Sequence, residues 1–299
     1  MRDTNTLMHN AWNAGTVIPA FNIPYLPMMQ PVINALRDTQ CFGLIAVARP
    51  EWEKFDAKSY HAVYDLYQQI KDERYTRLHL DHVPVIDEDL QHVDYETILA
   101  GAIDLGYGSV MVDGSRLPLQ ENIAATKKIV ERAHAKGIPV EAELGAVLGH
   151  EAGPMPSYEE LFATGQGFTD PEDARQFVEG TEVDWLSVAV GNIHGAVSQA
   201  KRHEKKVEAR LNIERIQAIQ DAIKRPLVLH GGSGIKKEYL LEGFKHGIAK
   251  INIGTAIRHA YEHGCKTSEE QGQAQTYNIT VELITEELEI EGSVKVINP

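Results

Sequence analysis

The segment Leu-Val-Leu-His-Gly-Gly-Ser-Gly (227–234) is a short apolar run that closes on a histidine and continues into a glycine-rich loop. Two other runs end in the same way, in Leu-His-Leu-Asp-His (78–82) and Val-Gly-Asn-Ile-His-Gly (190–195). Each run has the length of a buried strand, and the carboxyl ends of parallel strands in an α/β fold face one pocket. Three imidazoles there would leave a divalent metal an open coordination position, as in catalytic sites. The predicted ligands are His82, His194 and His230.

Strand-like and helix-like segments alternate along the whole chain. Asp170-Pro171, for example, has the capping aspartate and first-turn proline that start a helix. The pattern predicts one (β/α)8 barrel domain over residues 1–299, with an N-terminal helix at Thr4–Ala14 and a helical C-terminal extension. A doubly wound open sheet is the alternative. The expected strands are Val17–Asn22, Gly43–Val47, Arg77–His82, Ser109–Asp113, Pro139–Leu144, Trp185–Val190, Leu227–His230 and Lys250–Ile253.

Composition narrows the class of protein. Of the 299 residues, 43% are hydrophobic and 24% charged, which is ordinary for a soluble globular chain. The net charge of -14 argues against duplex nucleic acid as a partner, and two cysteines are too few for a disulfide framework. Residues 1–15 lack the apolar core of a signal peptide, and no stretch approaches the ~18 apolar residues of a membrane span. We therefore expect a cytoplasmic protein without membrane contact.

Polar residues collect at the predicted strand ends, where a barrel gathers its site. Because barrel interiors are normally filled by branched apolar residues, this set indicates a functional pocket rather than core. A carboxylate beside the metal, such as Asp81, could move a proton, whereas His79 lies deeper and suits a supporting role. Besides the three histidines, the set contains Asn22, Asp81, Asp113, Glu143 and Asn252.

Two glycine-containing loops predict an anion site. Gly231–Gly234 follows the seventh strand, and Asn252–Thr255 follows the eighth. Phosphate sites in such barrels are commonly built from these two loops and a helix N-terminus, and Ser233 and Thr255 add hydroxyl donors. A metal together with a phosphate site predicts a small phosphorylated carbonyl compound as substrate.

Two long connections, Val83–Tyr95 and Gly145–Phe168, follow the third and fifth strands. Both would lie at the carboxyl end of the barrel, where long loops commonly act as lids or binding loops. A contact between subunits, or no function, is the alternative for either loop.

Several segments, taken together and in order, resemble the class II, metal-dependent ketose-bisphosphate aldolases of the fructose- and tagatose-bisphosphate type. The resemblance extends from about Thr16 to Tyr261. The matching segments are IPAFNI (18–23), LHLDH (78–82), GYGSVMVDGSRLPLQENI (106–123), VEAELG (140–145), FTDPEDARQFVEGTEVDWLSVAVGNIHG (168–195), LVLHGGSG (227–234) and KINIGTAIR (250–258).

The resemblance implies a zinc-dependent aldol cleavage. It implies that His82, His194 and His230 hold Zn²⁺, which stabilises the enediolate of dihydroxyacetone phosphate, and that Asp81 is the acid/base at the C4 hydroxyl. By the same resemblance, Glu151 is a second catalytic residue, which moves a proton on the enediolate.

Further metal and substrate contacts follow from the same resemblance. Asp113 and Glu143 resemble residues at a second divalent position, and Gly195 and Gly231 are where members of the family place Na⁺ or K⁺. Arg258 resembles an arginine that reaches the second phosphate in a neighbouring subunit, which implies a homodimer or homotetramer. The residues expected to contact substrate or its phosphate are Asn22, Gly195, Gly231, Ser233, Asn252, Gly254, Thr255 and Arg258.

The residues that depart from the family pattern are those expected to lie near the distal half of the substrate. Gly254 stands where fructose-type members often have an aspartate, and Val47–Pro50 replaces a strand end that usually carries serine. We therefore expect reversible cleavage of a ketose 1-phosphate or 1,6-bisphosphate to dihydroxyacetone phosphate and an altered aldehyde. The alternatives are a metal-dependent hydrolase or isomerase of a sugar phosphate, and a non-catalytic aldolase-like subunit.

Overall fold

The computed structural model describes residues 2–145, 158–192, 209–232 and 234–299. Eight parallel strands form a closed barrel in sequential order, and β8 pairs with β1 to complete it. This confirms the (β/α)8 architecture and excludes the open sheet. The strands are β1 (Ile18–Asn22), β2 (Gly43–Ala48), β3 (Thr76–Pro84), β4 (Ser109–Asp113), β5 (Val140–Leu144), β6 (Trp185–Val188), β7 (Leu227–Leu229) and β8 (Ile248–Ile253).

Helices lie between the strands, before the barrel and after it, as expected. Short 3-10 and π segments, Leu26–Met28 and Leu283–Glu287, adjoin two of them. The α-helices of the described residues are α1 (Thr4–Ala14), α2 (Met29–Asp38), α3 (Arg49–Glu53), α4 (Tyr60–Ile70), α5 (Tyr95–Leu105), α6 (Leu119–His134), α7 (Tyr158–Thr164), α8 (Pro171–Thr181), α9 (Ile213–Ile223), α10 (Lys237–Lys245), α11 (Thr255–Cys265), α12 (Glu269–Glu282) and α13 (Val294–Ile297).

Local sequence signals explain where several helices begin and end. The Asp170 carboxylate accepts hydrogen bonds from the backbone N–H groups of Glu172 and Asp173 at 2.8 and 3.2 Å, with Pro171 at the first helical position. Gly106 ends α5 at a φ of 92°, in the left-handed region that favours glycine. The capping pattern in the sequence therefore agrees with these helix ends.

Strand β3 is irregular, which the sequence analysis did not foresee. Its pairing with β4 shifts register between Leu80 and Val83, and His82 has a φ of 32°. An extra residue in one strand of a pair bends the strand and changes the direction of the side chains beside it. The strand also continues to Pro84, so the long connection after it is shorter than expected.

The two long connections contain structure of their own. After β3, a short bridge pairs Ile86 with His92, and an Asp87 carboxylate oxygen accepts the Gln91 backbone N–H at 2.9 Å. The Gly145–Phe168 connection contains α7 in its described part. Both follow the carboxyl ends of strands, as expected; their roles as lids or binding loops stay predictions.

Helix α1 packs at the amino-terminal end of the barrel. The Asn5 side chain donates to Asp184 Oδ1 at 2.9 Å and accepts the Trp185 indole N–H at 2.9 Å, where β6 begins. Helix α1 therefore contacts the end of the barrel opposite to the carboxyl ends of the strands. Among the described helices, none combines the length and the hydropathy that a membrane crossing requires.

The corner between α11 and α12 yields a test of the packing. A Cβ on Gly264 would lie 2.5 Å from the Gln271 carbonyl oxygen, closer than real Cβ contacts. We expect Gly264→Ala to lower the free energy of unfolding by ~1–3 kcal/mol, although alanine alone favours a helix. Urea unfolding followed by circular dichroism measures this.

Asn278→Ala, at an exposed position of α12, is the matched control. It should change stability by less than ~0.5 kcal/mol. Equal stability of Gly264→Ala and wild type would contradict the close packing at this corner.

Candidate active site

The irregularity in β3 places two consecutive side chains in the same pocket. Asp81 accepts N–H groups from Asn22 at 2.9 Å and from Asn252 at 2.9 Å, inside the barrel. The His82 ring lies next to the His230 ring, with centroids 4.3 Å apart. Since successive residues of a regular strand point to opposite faces, only the bulge lets both contribute to one site.

The His82 imidazole lies among carboxylates. Its Nδ1 is 3.3 Å from Asp113 Oδ2 and 4.0 Å from Glu143 Oε2. Burial alone would lower the pKa of His82, but the negative charges of Asp81, Asp113 and Glu143 outweigh it and raise the pKa to about 10. The same charges would stabilise a metal cation on this imidazole, because a bound metal, like the proton, brings positive charge.

His230 is held between two glutamates. Its Nδ1 lies 2.9 Å from Glu143 Oε2, and its Nε2 lies 2.9 Å from Glu141 Oε1. A carboxylate on one ring nitrogen fixes the tautomer and leaves the other nitrogen as a ligand, the arrangement typical of metal-binding histidines. Glu141 therefore orients His230 toward the pocket that contains Glu143.

The donor set fits a divalent metal. Ligand atoms of Asp81, His82 and His230 all lie within 4.8 Å of one another, as do those of His82, Asp113 and Glu143. Imidazole nitrogen and carboxylate oxygen are donors that zinc and similar ions accept. The two groups share His82, so one main and one adjacent position could be built here. His194 lies outside the described residues, so its part in the ligand set stays a prediction.

Asp81 is the carboxylate best placed to exchange a proton with a ligand. Burial alone would raise the pKa of Asp81, but the positive charges of His82 and Lys250, together with the His79 imidazole 3.5 Å from Asp81 Oδ1, hold it well below its usual range. Asp81 is therefore an anion at neutral pH. His79 itself is buried, with Nδ1 2.8 Å from Ser109 Oγ, as suits a supporting residue.

Four further residues belong to the site but were not singled out in the sequence. Glu141 and Lys250 precede Glu143 and Asn252 by two positions, so a charged residue with period-two spacing inside a strand was the available signal. Asn192 left no such signal; its side chain donates to the His230 carbonyl at 2.8 Å. Glu51 is the fourth.

Glu51 follows β2 and comes directly after the Val47–Pro50 segment, which departs from the family pattern. Its carboxyl group accepts the Ala48 backbone N–H at 2.7 Å. Burial, with a smaller contribution from the charge of Asp81, raises the pKa of Glu51 to about 8. Glu51 is therefore mostly a neutral carboxylic acid at pH 7.

The two predicted phosphate loops lie next to the pocket. Gly231 has a φ of 68°, which favours glycine, and a Cβ on Gly232 would lie 2.5 Å from Ile251 Cδ1, so a side chain at position 232 would force the Ile251 side chain to move. Gly254 caps α11, and Thr255 is its first residue. Backbone N–H groups at a helix N-terminus favour anions. Gly195 and Ser233 lie outside the described residues.

Arg258 lies one turn further along α11. Its guanidinium pairs with Glu262 at 2.9 Å and lies over the Phe55 ring, 5.1 Å from the centroid. These contacts are within its own chain, so contact with a substrate in a neighbouring subunit stays a prediction. Glu151 lies outside the described residues, and its catalytic role also stays a prediction.

Comparisons with known proteins agree with one another. The family model described as "Fructose-bisphosphate aldolase class-II" matches residues 2–293. The YdjI aldolase of Escherichia coli K12 is 27% identical, with a TM-score of 0.74 over 98% of this chain and 99% of that one. A putative fructose-1,6-biphosphate aldolase of Coccidioides immitis is 25% identical, with a TM-score of 0.76 over 98% of each chain. Fructose-bisphosphate aldolase of Campylobacter jejuni, 18% identical with a TM-score of 0.75 over 96% of this chain and 94% of that one, shares the fold.

The raised pKa of Glu51 predicts a pH dependence of stability. The folded chain holds this proton to about pH 8, whereas an unfolded glutamate releases it near ~4.3. The contribution of Glu51 to the free energy of unfolding is therefore lost as the pH rises from its pKa in the unfolded chain through its pKa in the folded chain. Because glutamine has no such proton to release, its stability lacks this pH dependence. We therefore expect the melting temperature of Glu51→Gln, relative to that of wild type, to increase as the pH rises from 5 to 9.

Differential scanning fluorimetry with EDTA present, so that metal occupancy stays constant, measures this difference. Glu131→Gln, at an exposed position of α6, is the control and should show no such trend. A constant difference between Glu51→Gln and wild type across the range would contradict the pKa assigned to Glu51.

Proposed function

The chain belongs to the class II fructose-bisphosphate aldolase family and is therefore a lyase, and we propose that it reversibly cleaves a ketose 1-phosphate or 1,6-bisphosphate to dihydroxyacetone phosphate and an aldehyde. Tagatose- and fructose-type bisphosphates are the nearest substrate class. The observation that carries the proposal is the Asp81 carboxylate, held by Asn22 and Asn252, beside the imidazoles of His82 and His230.

The metal proposed for this pocket is Zn²⁺. His82 and His230, together with His194, would hold it, and Asp113 and Glu143 would serve a second divalent position. A divalent ion bound there supplies Lewis-acid polarisation of the substrate carbonyl. Glu141 keeps His230 in the tautomer that can ligate, because it occupies Nε2.

Asp81 carries the proton transfer of cleavage. The carboxylate removes the proton of the C4 hydroxyl, the C4 oxygen forms the aldehyde carbonyl, and the C3–C4 bond breaks. Its electron pair passes toward C2 to give the enediolate. Protonation at C3, which we assign to Glu151, yields dihydroxyacetone phosphate. In the direction of synthesis Asp81 returns the proton to the new hydroxyl.

The phosphate of the retained half would bind between the loops after β7 and β8. Gly231 follows β7, Asn252 lies on β8 and Thr255 begins α11. These three residues, with Gly195 and Ser233, make up the proposed set. Glycine allows close approach of backbone N–H groups, and the N-terminus of α11 favours a negative charge. Na⁺ or K⁺ near Gly195 and Gly231 would offset part of the phosphate charge.

The distal half of the substrate would lie near Gly254 and Asn22. A Cβ on Gly254 would lie 3.4 Å from the Asn22 Cβ, which is ordinary contact, so the lack of a side chain leaves room beside Asn22. This room favours an aldehyde partner that differs from that of fructose 1,6-bisphosphate. Arg258 from a neighbouring subunit would complete the site in a homodimer or homotetramer.

Metal removal tests the reaction class. An assay that couples dihydroxyacetone phosphate to NADH oxidation would compare fructose 1,6-bisphosphate, tagatose 1,6-bisphosphate and several ketose 1-phosphates. We expect cleavage of at least one, lost after chelation and restored by Zn²⁺, because the carbonyl needs an electrophile. Release of inorganic phosphate or an isomerised sugar without dihydroxyacetone phosphate would instead support a hydrolase or isomerase.

Replacement of Asp81 tests the proton transfer. We expect Asp81→Ala to lower kcat by ~10²–10⁴-fold, the usual contribution of a general acid/base. Zinc content is measured in parallel, because His82 is adjacent. Asp104→Asn, on the exposed surface of α5, should leave the rate unchanged. An unchanged rate in Asp81→Ala with zinc bound would contradict the mechanism.

A further inference from the structure

We propose that Lys250 is a positioning residue, which fixes the side-chain amide of Asn252 so that its NH₂ group faces Asp81. The inference deepens the proposed function, and its kinetic test rests on that function. It gives a role to a buried charged residue that takes no part in the mechanism above.

Lys250 lies on β8 with its whole side chain inside the barrel, where it is 0% exposed. Its Nζ is 2.7 Å from Glu141 Oε2, 2.7 Å from Asn252 Oδ1 and 3.8 Å from Asp81 Oδ1. The ammonium group is thus surrounded by acceptors from β3, β5 and β8.

The ammonium group on one side and the Asp81 carboxylate on the other favour the same orientation of the Asn252 amide. A lysine ammonium has three donors and no acceptor, whereas an asparagine side chain presents one oxygen and one NH₂ group. Within the Asn252 side chain, Lys250 can therefore donate a hydrogen bond only to the oxygen. The NH₂ group then faces Asp81, with Nδ2 2.9 Å from each carboxylate oxygen.

The reversed amide would be unfavourable at both ends. Its NH₂ group would face the ammonium of Lys250, and its oxygen would face the carboxylate of Asp81. Without Lys250 only the second of these penalties remains, and the side chain gains other orientations. Lys250 therefore removes a conformational choice from Asn252.

The orientation of Asn252 matters because Asp81 must present one oxygen to a substrate hydroxyl. Asn22 donates to Oδ2 of Asp81 from the opposite side, so two amides hold this carboxylate. A misplacement of about 1 Å in a reacting group can cost ~10²-fold in rate. Loss of one amide donor is therefore expected to affect kcat more than substrate binding.

The alternative role for Lys250 is to neutralise Glu141. Both side chains are fully buried, and Glu141 also accepts from His230. A buried ion pair is weak evidence for stability, because an apolar replacement of the pair is often neutral or stabilising. Removal of Lys250 alone would, however, leave the Glu141 charge buried without its cation. The test must therefore remove both charges together.

The experiment compares Glu141→Gln with Glu141→Gln/Lys250→Met, each with and without Asn252→Leu. Glutamine keeps an acceptor for His230 but carries no charge. The assay uses the ketose phosphate that the wild-type chain cleaves fastest. We expect Lys250→Met to lower kcat ~10–100-fold, the usual cost of losing a supporting partner, with KM within about threefold. When Asn252→Leu is also present, Lys250→Met should change kcat by less than about twofold. The effects of two substitutions are not additive when one residue acts through the other.

An equal kcat in Glu141→Gln and Glu141→Gln/Lys250→Met would overturn the proposal. So would an undiminished effect in the Asn252→Leu background, since Lys250 would then act independently of Asn252. A merely structural role would lower the melting temperature and the fraction of active protein but would not produce this dependence on Asn252.

A high-resolution crystal structure of Glu141→Gln/Lys250→Met gives a readout without activity. We expect the Asn252 amide to leave Asp81 or to occupy two orientations; an unchanged amide would overturn the proposal. If the wild-type chain cleaves no ketose phosphate, the proposed function fails, while this structure still tests Lys250.

Should the variant not fold, Asn252→Asp in the wild-type chain replaces it. This variant still accepts from Lys250 but offers no N–H to Asp81, and full activity would refute the role.

Discussion

The bulge in β3 is the constraint on which the site depends. A strand alternates its side chains between two faces, so Asp81 and His82 could not both enter one pocket from a regular strand. The register shift against β4 and the positive φ of His82 remove this limit. The carboxylate that we propose for proton transfer and the imidazole that we propose for metal binding can thereby be neighbours in sequence and in space. The left-handed backbone at a non-glycine residue is a strain that the surrounding pairing must outweigh.

The second constraint is charge balance inside the barrel. Glu141, Glu143 and Asp113 gather around two histidines, and Lys250 is the one lysine that the described interior adds to them. Buried charges are tolerated only where they are paired and hydrogen-bonded. The same pairing serves function, because each ion pair also orients a neighbour: Glu141 orients His230, and Lys250 orients Asn252. Stability and chemistry thus use one set of contacts.

The site has two parts. The carboxylates, histidines and glycine loops lie in segments that resemble the aldolase family, whose model matches residues 2–293. Gly254, by contrast, is one of the departures from the family pattern, and Glu51 directly follows another. Glu51 interacts with Asn22 and Asp81, and Gly254 lies beside Asn22. In the proposed function, a neutral carboxylic acid and an absent side chain would change the hydrogen bonding and the free volume offered to the aldehyde half. This division is why the reaction class follows from the family more readily than the substrate does.

The sequence by itself determined the alternation of eight strands with helices, the helix caps at Asp170 and Gly106, and the choice of residues at the strand ends. These follow from short-range rules, since periodicity and capping act within a few residues. It did not reveal the β3 bulge, the helix directly after β2, or the contributions of Glu141, Lys250, Asn192 and Glu51. The helix after β2 has local signals in Pro50 and in the Glu51 carboxylate that caps Ala48. The other features depend on residues far apart in the sequence; His230 and Glu141, for example, are 89 positions apart. Only closure of the barrel brings such groups within hydrogen-bond distance, so only the tertiary structure could decide their orientation and protonation.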